Sequence, residues 1–436
     1  MQPCPKMRSK GHRFMKVIVI GAGVVGMTSA WYLTALGHEV VVVERNSGPA
    51  LETSFGNAGG VCPGFAGPWA APGMPFKALK WMFAEAAPLK IRPSLDVAQW
   101  RWLARFLSNC TASRFAANKA RMQAMAHYSK QSLVDLRKQT GIAYDDMARG
   151  VLQIFATEEE LRGGERSAAV LADLGIEHRL VDRAGMETIE PALARTSASL
   201  AGGLHLPGDE TGDSKLFCER LLELLQPLGC RFMFDTTATS LDVSGGRIEG
   251  VATKNGPVTG DAYVVACGPF AVQLLKTAGL SLPVYPVKGY SITCDIASGD
   301  GAPVSSVMDE HSKVMITRLG SRLRAAGVAE LAGFDPTLRP SALKGLIDRV
   351  RSLFPEAADY TTASAWCGFR PMTANGPAIV GRSRIANLYL NAGHGSNGWT
   401  QACGTSRVRF CSPPPHVFEQ GCHPPQRPMT HGLRHA

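Results

Sequence analysis

A glycine-rich turn between two short apolar strands constrains the fold of this chain more than any other feature. Residues 15–20 are an apolar run rich in β-branched side chains, and the motif GAGVVG follows at residues 21–26. Helical periodicity over 24–36 and a second apolar run over 38–43, which ends in Glu44, complete the pattern. The order of strand, glycine turn, helix, strand and acid predicts a βαβ dinucleotide-binding unit.

Each marked position of such a unit has a physical role. Gly21 allows the tight turn, Gly23 lets a pyrophosphate approach the backbone, and Gly26 lets the helix pack closely on the strand. The helix N-terminus favours phosphate, and Glu44 is placed to accept a hydrogen bond from a ribose 2′-hydroxyl. An acid at this position favours FAD or NAD over NADP, and the small polar loop at 52–60 suits an extended cofactor.

Charge and cysteine content exclude several classes of protein. The net charge of +10 is concentrated at the ends, with +4 in residues 1–14 and +3 in residues 407–436, so no nucleic-acid partner is expected. The eleven cysteines include no CxxC pair, which argues against zinc and a disulfide framework. The acids of residues 204–216 precede a helix for which Asp213 is the expected N-cap, so no metal is expected there either.

Six motifs together resemble the D-amino-acid dehydrogenase small-subunit family, within the D-amino-acid oxidase and glycine oxidase superfamily. They run from about residue 15 to residue 405 and read VIVIGAGVVGMTSAWYL, ETSFGNAGGVCPGFAGPWAAPG, LPGDETGD, PVYPVKGYS, GFRPMTANGPAIVGR and NAGHGSNGWTQACG. The resemblance implies a bacterial FAD enzyme that converts D-amino acids such as D-alanine to 2-oxo acids and ammonia. It also implies a quinone or other respiratory acceptor and a cytoplasmic protein bound peripherally to the inner membrane.

The expected fold class is α/β (α+β overall), with a Rossmann-like FAD-binding domain and a mixed-sheet substrate domain. We assign residues 15–75, 190–280 and 366–406 to the first domain and residues 76–189 and 281–365 to the second. Residues 1–14 are interpreted as an extension.

Four residues are candidates for contact with substrate or flavin. Arg370, in the sequence GFRP, is expected to bind the substrate carboxylate, because its planar guanidinium forms bidentate hydrogen bonds. Tyr285 or Tyr290 is expected to cover the substrate, and His394 to touch the flavin ring. The expected chemistry is hydride transfer from Cα of the neutral amine to flavin N5, without a protein base.

The residues expected to contact the cofactor lie in five places: the first turn, the end of the second strand, the following polar loop, Gly268 at the end of a later strand, and the glycine-rich loop near residue 395. They are Val19, Ile20, Gly21, Gly23, Val24, Val25, Gly26, Glu44, Arg45, Thr53, Ser54, Asn57, Ala58, Gly59, Gly268, Gly393, His394, Gly395, Gly398, Trp399 and Thr400.

Three alternatives remain open. A sibling oxidase or dehydrogenase of glycine, sarcosine or hydroxyproline would share the fold and flavin, and a flavin-dependent RNA-modifying protein would use the positive charge.

The aromatic and basic segment 76–110 fits either a membrane-surface helix or a lid that packs between domains.

The C-terminal segment departs from the family pattern after about Ser406. Residues 407–436 contain six prolines and four histidines without hydrophobic periodicity, which predicts disorder and resembles a translated frameshift. A truncated helix would expose sheet surface and weaken flavin retention. A flavin-binding protein inactivated by this altered tail is therefore the third alternative.

Overall fold

The computed structural model describes residues 14–82, 89–173 and 175–411. The predicted extension, except for residue 14, and residues 412–436 of the predicted tail lie outside these ranges. The helices are α1 (Val24–Ala35), α2 (Met74–Met82), α3 (Val97–Asn109), α4 (Ala112–Thr140), α5 (Glu158–Asp173), α6 (Arg183–Ile189), α7 (Ser214–Leu225), α8 (Ala271–Thr277), α9 (Pro340–Leu353) and α10 (Gly398–Cys411).

Nineteen strands form two large sheets and two short pairs in this part of the chain. They are β1 (Lys16–Ile20), β2 (Glu39–Val43), β3 (Gly60–Val61), β4 (Leu89–Ile91), β5 (Val151–Phe155), β6 (Arg179–Val181), β7 (Gly202–Leu206), β8 (Glu210–Thr211), β9 (Arg231–Met233), β10 (Ala238–Ser244), β11 (Arg247–Thr253), β12 (Ala262–Val265), β13 (Val284–Asp295), β14 (Ser306–Asp309), β15 (Val314–Leu319), β16 (Arg322–Leu331), β17 (Ser364–Thr373), β18 (Ile379–Arg382) and β19 (Leu388–Ala392).

The first sheet has the order β18-β19-β12-β1-β2-β9 and is parallel except at β18–β19. Alternate residues of β1 face opposite layers, as the side-chain period of a strand requires. Val17 and Val19 pack in a core with α1, α7 and α10. Ile18 and Ile20 pack in a second core with the β10–β11 hairpin and α8. Burial on both faces explains why these strands are continuously apolar, and this sheet confirms the predicted Rossmann-like unit.

The second sheet has nine strands, in the order β17-β13-β16-β15-β14-β5-β7-β6, with β4 paired to β16. One face packs on α9 through a core that includes Ile316, Leu346 and Val350. The other face lies toward the first sheet and lines a cavity. The expected mixed sheet is therefore present.

Sheet pairing places two segments differently from the sequence-based domain assignment. β7 and β17 both belong to the second sheet, although residues 202–206 and 366–373 fall within the ranges assigned to the first domain. Long-range strand pairing decides sheet membership, and it is not visible in local sequence patterns.

The helix after the glycine-rich loop extends further than expected. α10 continues through residues 407–411, which the sequence pattern placed in the disordered tail. Arg407 is held at this end by an ion pair with Asp135 of α4 at 2.6 Å. In the described ranges, no helix is long and apolar enough to cross a membrane.

Candidate active site

The β1–α1 turn has the geometry that the glycine pattern predicts. Gly21 has a φ of +105°, and its N–H donates to Val43 O at 2.8 Å, which joins the turn to β2. A Cβ on Gly26 would lie 1.9 Å from Gly21 O, so only glycine permits the observed contact between the helix and the turn. Gly23 is the N-cap of α1 and has no side chain to cap the helix, and both Gly23 and Val24 line the cavity.

The Glu44 carboxylate ties the turn to the end of β2. Its Oε2 accepts from the Ala22 N–H at 2.7 Å, and its Oε1 accepts from the backbone and side chain of Asn46, both at 2.9 Å. A carboxylate can accept about four hydrogen bonds. In the described contacts one acceptor site on Oε2 thus stays available for a ribose hydroxyl.

The polar loop after β2 is fixed against both sheets. Ser54 Oγ accepts from the Val24 N–H at 3.1 Å, and Thr53 Oγ1 donates to Phe369 O at 2.8 Å. The buried Arg324 of β16 donates to Phe55 O at 2.9 Å. Sequence reasoning missed Arg324, because nothing near it in the chain marks it as a partner of this loop.

A single cavity of about 890 Å³ connects the β1–α1 turn to the open face of the second sheet. Ligand pockets generally span roughly 300–1,000 Å³, so this volume suits a large ligand. The predicted residues that line it are Ile20, Gly21, Gly23, Val24, Val25, Glu44, Arg45, Thr53, Ser54, Asn57, Ala58, Gly268, Tyr290, Arg370, His394, Gly395, Gly398, Trp399 and Thr400.

The remaining predicted residues lie outside the cavity lining or behind its walls. Val19 is in the core of the first sheet, and Gly26 supports the turn from within α1. Gly59 donates its N–H to Asn57 Oδ1 at 2.8 Å and so shapes the polar loop. Gly393 packs on β17, where a Cβ would lie 2.8 Å from Thr373 Cγ2.

Arg370 of β17 extends its side chain across Gly289 of β13. A Cβ on Gly289 would lie 2.3 Å from Arg370 Nη1, so this glycine makes room for the guanidinium. The guanidinium donates to the backbone carbonyls of Val328 at 3.0 Å and of Lys288 and Gly327 at 3.4 Å each. Among the described residues, no carboxylate oxygen lies within 4 Å of it.

Burial lowers the pKa of the Arg370 guanidinium to about 10, so it remains a cation at neutral pH. A desolvated cation held only by carbonyl dipoles is a favourable position for an anionic group of a ligand.

The structure places the two candidate tyrosines differently, since Tyr290 lines the cavity and Tyr285 does not. Tyr285 is buried under α3, with its ring centroid 5.9 Å from that of Trp102, and it does not line the cavity. Tyr290 contributes to the wall, but its hydroxyl donates to Glu330 Oε2 at 2.7 Å, and its ring packs in the core with α9. Burial, with the adjacent Glu330, raises the pKa of this phenol.

His394 lies at the entry to α10. It is buried, its Nε2 is 3.1 Å from Thr405 Oγ1, and burial lowers the pKa of the imidazole to about 4, so the ring is neutral at pH 7. Thr400 Oγ1 accepts from the Cys62 N–H at 3.1 Å, and Trp399 Nε1 donates to Gly212 O at 3.1 Å. These bonds fix the first turn of α10, whose N-terminus faces the cavity.

The two helix starts and Glu44 together fit an extended FAD. The N-terminus of α1 would hold the pyrophosphate, Glu44 a ribose hydroxyl, and the N-terminus of α10 the electron-accepting end of the ring system. Thr236 and Thr237 also line the cavity, with Glu44 O accepting from the Thr236 N–H at 2.8 Å. Sequence reasoning missed them, because no motif marks the segment between β9 and β10 as part of the site.

Comparison with known proteins gives a consistent assignment. The family model described as FAD dependent oxidoreductase matches residues 16–408. The D-amino acid dehydrogenase of Agrobacterium fabrum is 49% identical over 394 residues, which cover 90% of this chain and 94% of that protein. The D-amino acid dehydrogenase of Rhizorhabdus wittichii is 50% identical, with 90% and 95% covered.

The glycine oxidase of Bacillus cereus is a solved structure with the same fold. Its TM-score is 0.67 at 19% sequence identity, and the match covers 91% of this chain and 94% of that one.

Proposed function

The chain belongs to the FAD-dependent oxidoreductase family, and from this premise we propose that it oxidises D-amino acids such as D-alanine to 2-oxo acids and ammonia. Relatives named D-amino acid dehydrogenase share about half of their residues with it over nine-tenths of its length. That similarity supports the substrate class. The cavity supplies an independent physical reason to expect an amino-acid substrate.

The observation that carries the proposal is the Arg370 guanidinium. It is buried in the cavity, it is protonated, and its described partners are backbone carbonyls alone. The planar fork of an arginine matches a carboxylate, and such charge-assisted bonds are about twice as strong as neutral ones. Arg370 therefore binds and orients the carboxylate of the substrate, while Gly289 leaves the space that the guanidinium needs.

Bound FAD supplies the two-electron acceptor for the reaction. The acidic side chains on the cavity wall are engaged with partners: Glu44 with Ala22 and Asn46, Glu52 with Arg45, and Glu310 with Lys313. His394 is neutral and hydrogen-bonded to Thr405. We assign none of these groups the role of a base, so the chain binds the amine in its neutral form and orients its Cα–H bond.

Arg370 can be tested with a substrate pair that differs only at the carboxylate. The wild-type protein is expected to have a kcat/KM for D-alanine at least about 100-fold above that for D-alaninamide, as expected when a buried polar group loses its partner. Arg370→Gln should reduce this ratio to near one, and Arg370→Lys should give an intermediate ratio. If Arg370→Gln keeps the wild-type ratio of kcat/KM for D-alanine to that for D-alaninamide, the assignment of Arg370 as the carboxylate-binding residue is contradicted.

We also propose a respiratory acceptor and peripheral attachment to the inner face of the bacterial membrane, through a surface formed by α2, α3 and residues 92–96. Large apolar side chains are exposed there, including Leu95 at 101%, Phe76 at 80% and Trp100 at 52%. Lys77, Arg101 and Arg105 are exposed beside them. Apolar side chains surrounded by basic ones are typical of surfaces that bind anionic lipid.

The same surface lies close to the cavity that holds the candidate active site. α3 presents Trp100 and Leu107 to solvent, while Phe106 of the same helix lines the cavity. An acceptor in the membrane would therefore reach the cavity over the thickness of one helix. This supports the surface-helix interpretation of segment 76–110, whereas the buried Trp102 and Phe106 give α3 a packing role as well.

Vesicle sedimentation tests this attachment. The protein should sediment with phosphatidylglycerol vesicles and less with phosphatidylcholine, and a Trp100→Ala/Leu107→Ala variant should lose most of the binding. Val243→Ala removes an exposed apolar side chain, 43% accessible, from the β10–β11 hairpin and is the matched control. Equal binding by the double variant and this control would contradict the assignment of the surface.

A further inference from the structure

One row of side chains crosses the cavity face of the second sheet. Met308 of β14 pairs with Met315 of β15 and with Gln153 of β5. Met315 pairs in turn with Ala326 of β16, and Gln153 with Leu204 of β7. All five residues line the cavity. The row therefore forms a continuous floor across five neighbouring strands.

The neighbouring register shows that this row faces the cavity and not the core. Val307, Ile316 and Ala325 pair with one another in the adjacent row and are fully buried in the core with α9. Side chains of successive strand residues point to opposite faces. Met308 and Met315 are only partly buried in the structure, as expected for side chains that project into a cavity.

Arg370 fixes the distance from the carboxylate position to the two methionines. Its guanidinium bonds to Lys288 O of β13 and to Val328 O of β16, so it lies over these two strands. Neighbouring strands are about 4.8 Å apart. Across the sheet, Met315 thus lies roughly one strand spacing beyond the β16 edge of the guanidinium, and Met308 roughly two, in a row that pairs with Ala326 and is offset along β16 from Val328.

We propose that Met315 and Met308 form the side-chain subsite for D-amino acids with unbranched apolar side chains. The inference rests on the proposed function, since it takes the substrate carboxylate to lie on Arg370. The thioether of methionine is flexible and polarisable, so a pair of them adapts to apolar chains of different length. D-alanine is too short to reach them, and the longer side chains of D-norvaline and D-norleucine extend progressively further over Met315 toward the flexible end of Met308.

The far end of the row limits the subsite to apolar side chains. Gln153 Nε2 donates to Glu310 Oε2 at 2.7 Å, and Glu310 pairs with Lys313. A charged substrate side chain would have to break these contacts to gain a partner, so the subsite selects against acidic and basic D-amino acids.

Substrate series with graded length test the subsite. The quantity to measure is the ratio of kcat/KM for each longer substrate to that for D-alanine, in the full chain loaded with FAD. Met308→Ala should lower the D-norleucine ratio about tenfold and the D-norvaline ratio less, whereas Met315→Ala should lower both about tenfold. The ratio is insensitive to the fraction of active enzyme.

Val307→Ala is the matched control, because Val307 precedes Met308 on the same strand and faces the core. It should reduce stability while it leaves the ratios unchanged. Unchanged ratios in Met308→Ala and Met315→Ala, with D-alanine still oxidised, would overturn the subsite and leave the proposed function standing. A fall in the ratios that occurs only in Leu89→Ala would place the substrate side chain against β4 and would also contradict the subsite. Absence of any D-amino-acid turnover in the wild type would overturn both the subsite and the proposed function.

Discussion

Replacing Gly289 by alanine is expected to displace the Arg370 guanidinium without unfolding the protein. The new Cβ would lie 2.3 to 2.5 Å from Nη1, Cζ and Nη2 of Arg370, well inside van der Waals contact. These atoms are the end of a flexible side chain, so the clash is relieved by rotation of Arg370. Gly289 is a β-strand residue without a positive φ, and alanine is accommodated by that backbone.

The size of the effect follows from the bonds that would be lost. Hydrogen bonds to charged groups contribute about 1.5–3 kcal/mol each, and a displaced guanidinium would lose part of a bidentate pair. A loss of about 2–4 kcal/mol corresponds to a fall in kcat/KM for D-alanine of roughly 30- to 900-fold. Most of it should appear in KM, because the carboxylate is already bound in the ground state.

Steady-state kinetics with D-alanine and an artificial acceptor measure this fall, together with flavin content from the visible spectrum and Tm from thermal unfolding. Gly345→Ala is the control, because a Cβ added to Gly345 in α9 would meet no described atom outside its own helix backbone within 4 Å. A Gly289→Ala variant that keeps the kcat/KM of the wild type would refute the displacement of Arg370. A fall in activity that only matches the loss of flavin would refute it as well.

Three further predictions concern buried ionisable groups. The pKa of His394 is about 4 in the folded state and about 6.5 in the unfolded state. The free energy of unfolding should therefore fall by up to about 3 kcal/mol from pH 6.5 to pH 4. Urea unfolding measures this fall, which should be smaller in His394→Asn. Burial raises the pKa of the Asp209 carboxyl to about 7, so the folded state keeps a proton that the unfolded chain releases near pH 4. Ionised Asp209 therefore destabilises the folded state at high pH. Asp209→Asn removes this charge and should raise Tm more at pH 8 than at pH 4.5. Glu330→Gln removes the carboxylate that lies 2.9 Å from the ammonium of the buried Lys288. The free energy of unfolding, measured in the same urea assay, should fall by about 3–5 kcal/mol. An unchanged free energy of unfolding would contradict a stabilising role for this ion pair.

The dinucleotide unit was predictable because its determinants are local. Strand, glycine turn and helix follow one another within residues 15–44, and Glu44 lies where the second strand ends. The contact that requires glycine at position 26, where a Cβ would lie 1.9 Å from Gly21 O, is made inside that segment. Arg370 could be named as a candidate for a similar reason, since a short motif marks it.

The second sheet was harder to predict, because register decides which face each side chain occupies. Tyr290 and Gly289 are neighbours in the chain, yet Gly289 lies under Arg370 while the Tyr290 hydroxyl contacts Glu330. Met308 and Met315 are ordinary apolar residues in the sequence, and only their pairing brings them into one row on the cavity floor. The altered segment after Ser406 likewise gave no indication that the helix would continue to Cys411.

The central claim is that a flavin bound in this cavity accepts electrons from a D-amino acid. The most direct test is the visible spectrum of the purified full chain, before and after D-alanine is added without oxygen. We predict that the oxidised flavin absorption bleaches with D-alanine and not with L-alanine, with about one 2-oxo acid formed per flavin. A flavin-loaded protein that stays oxidised with a full panel of D-amino acids would contradict the claim.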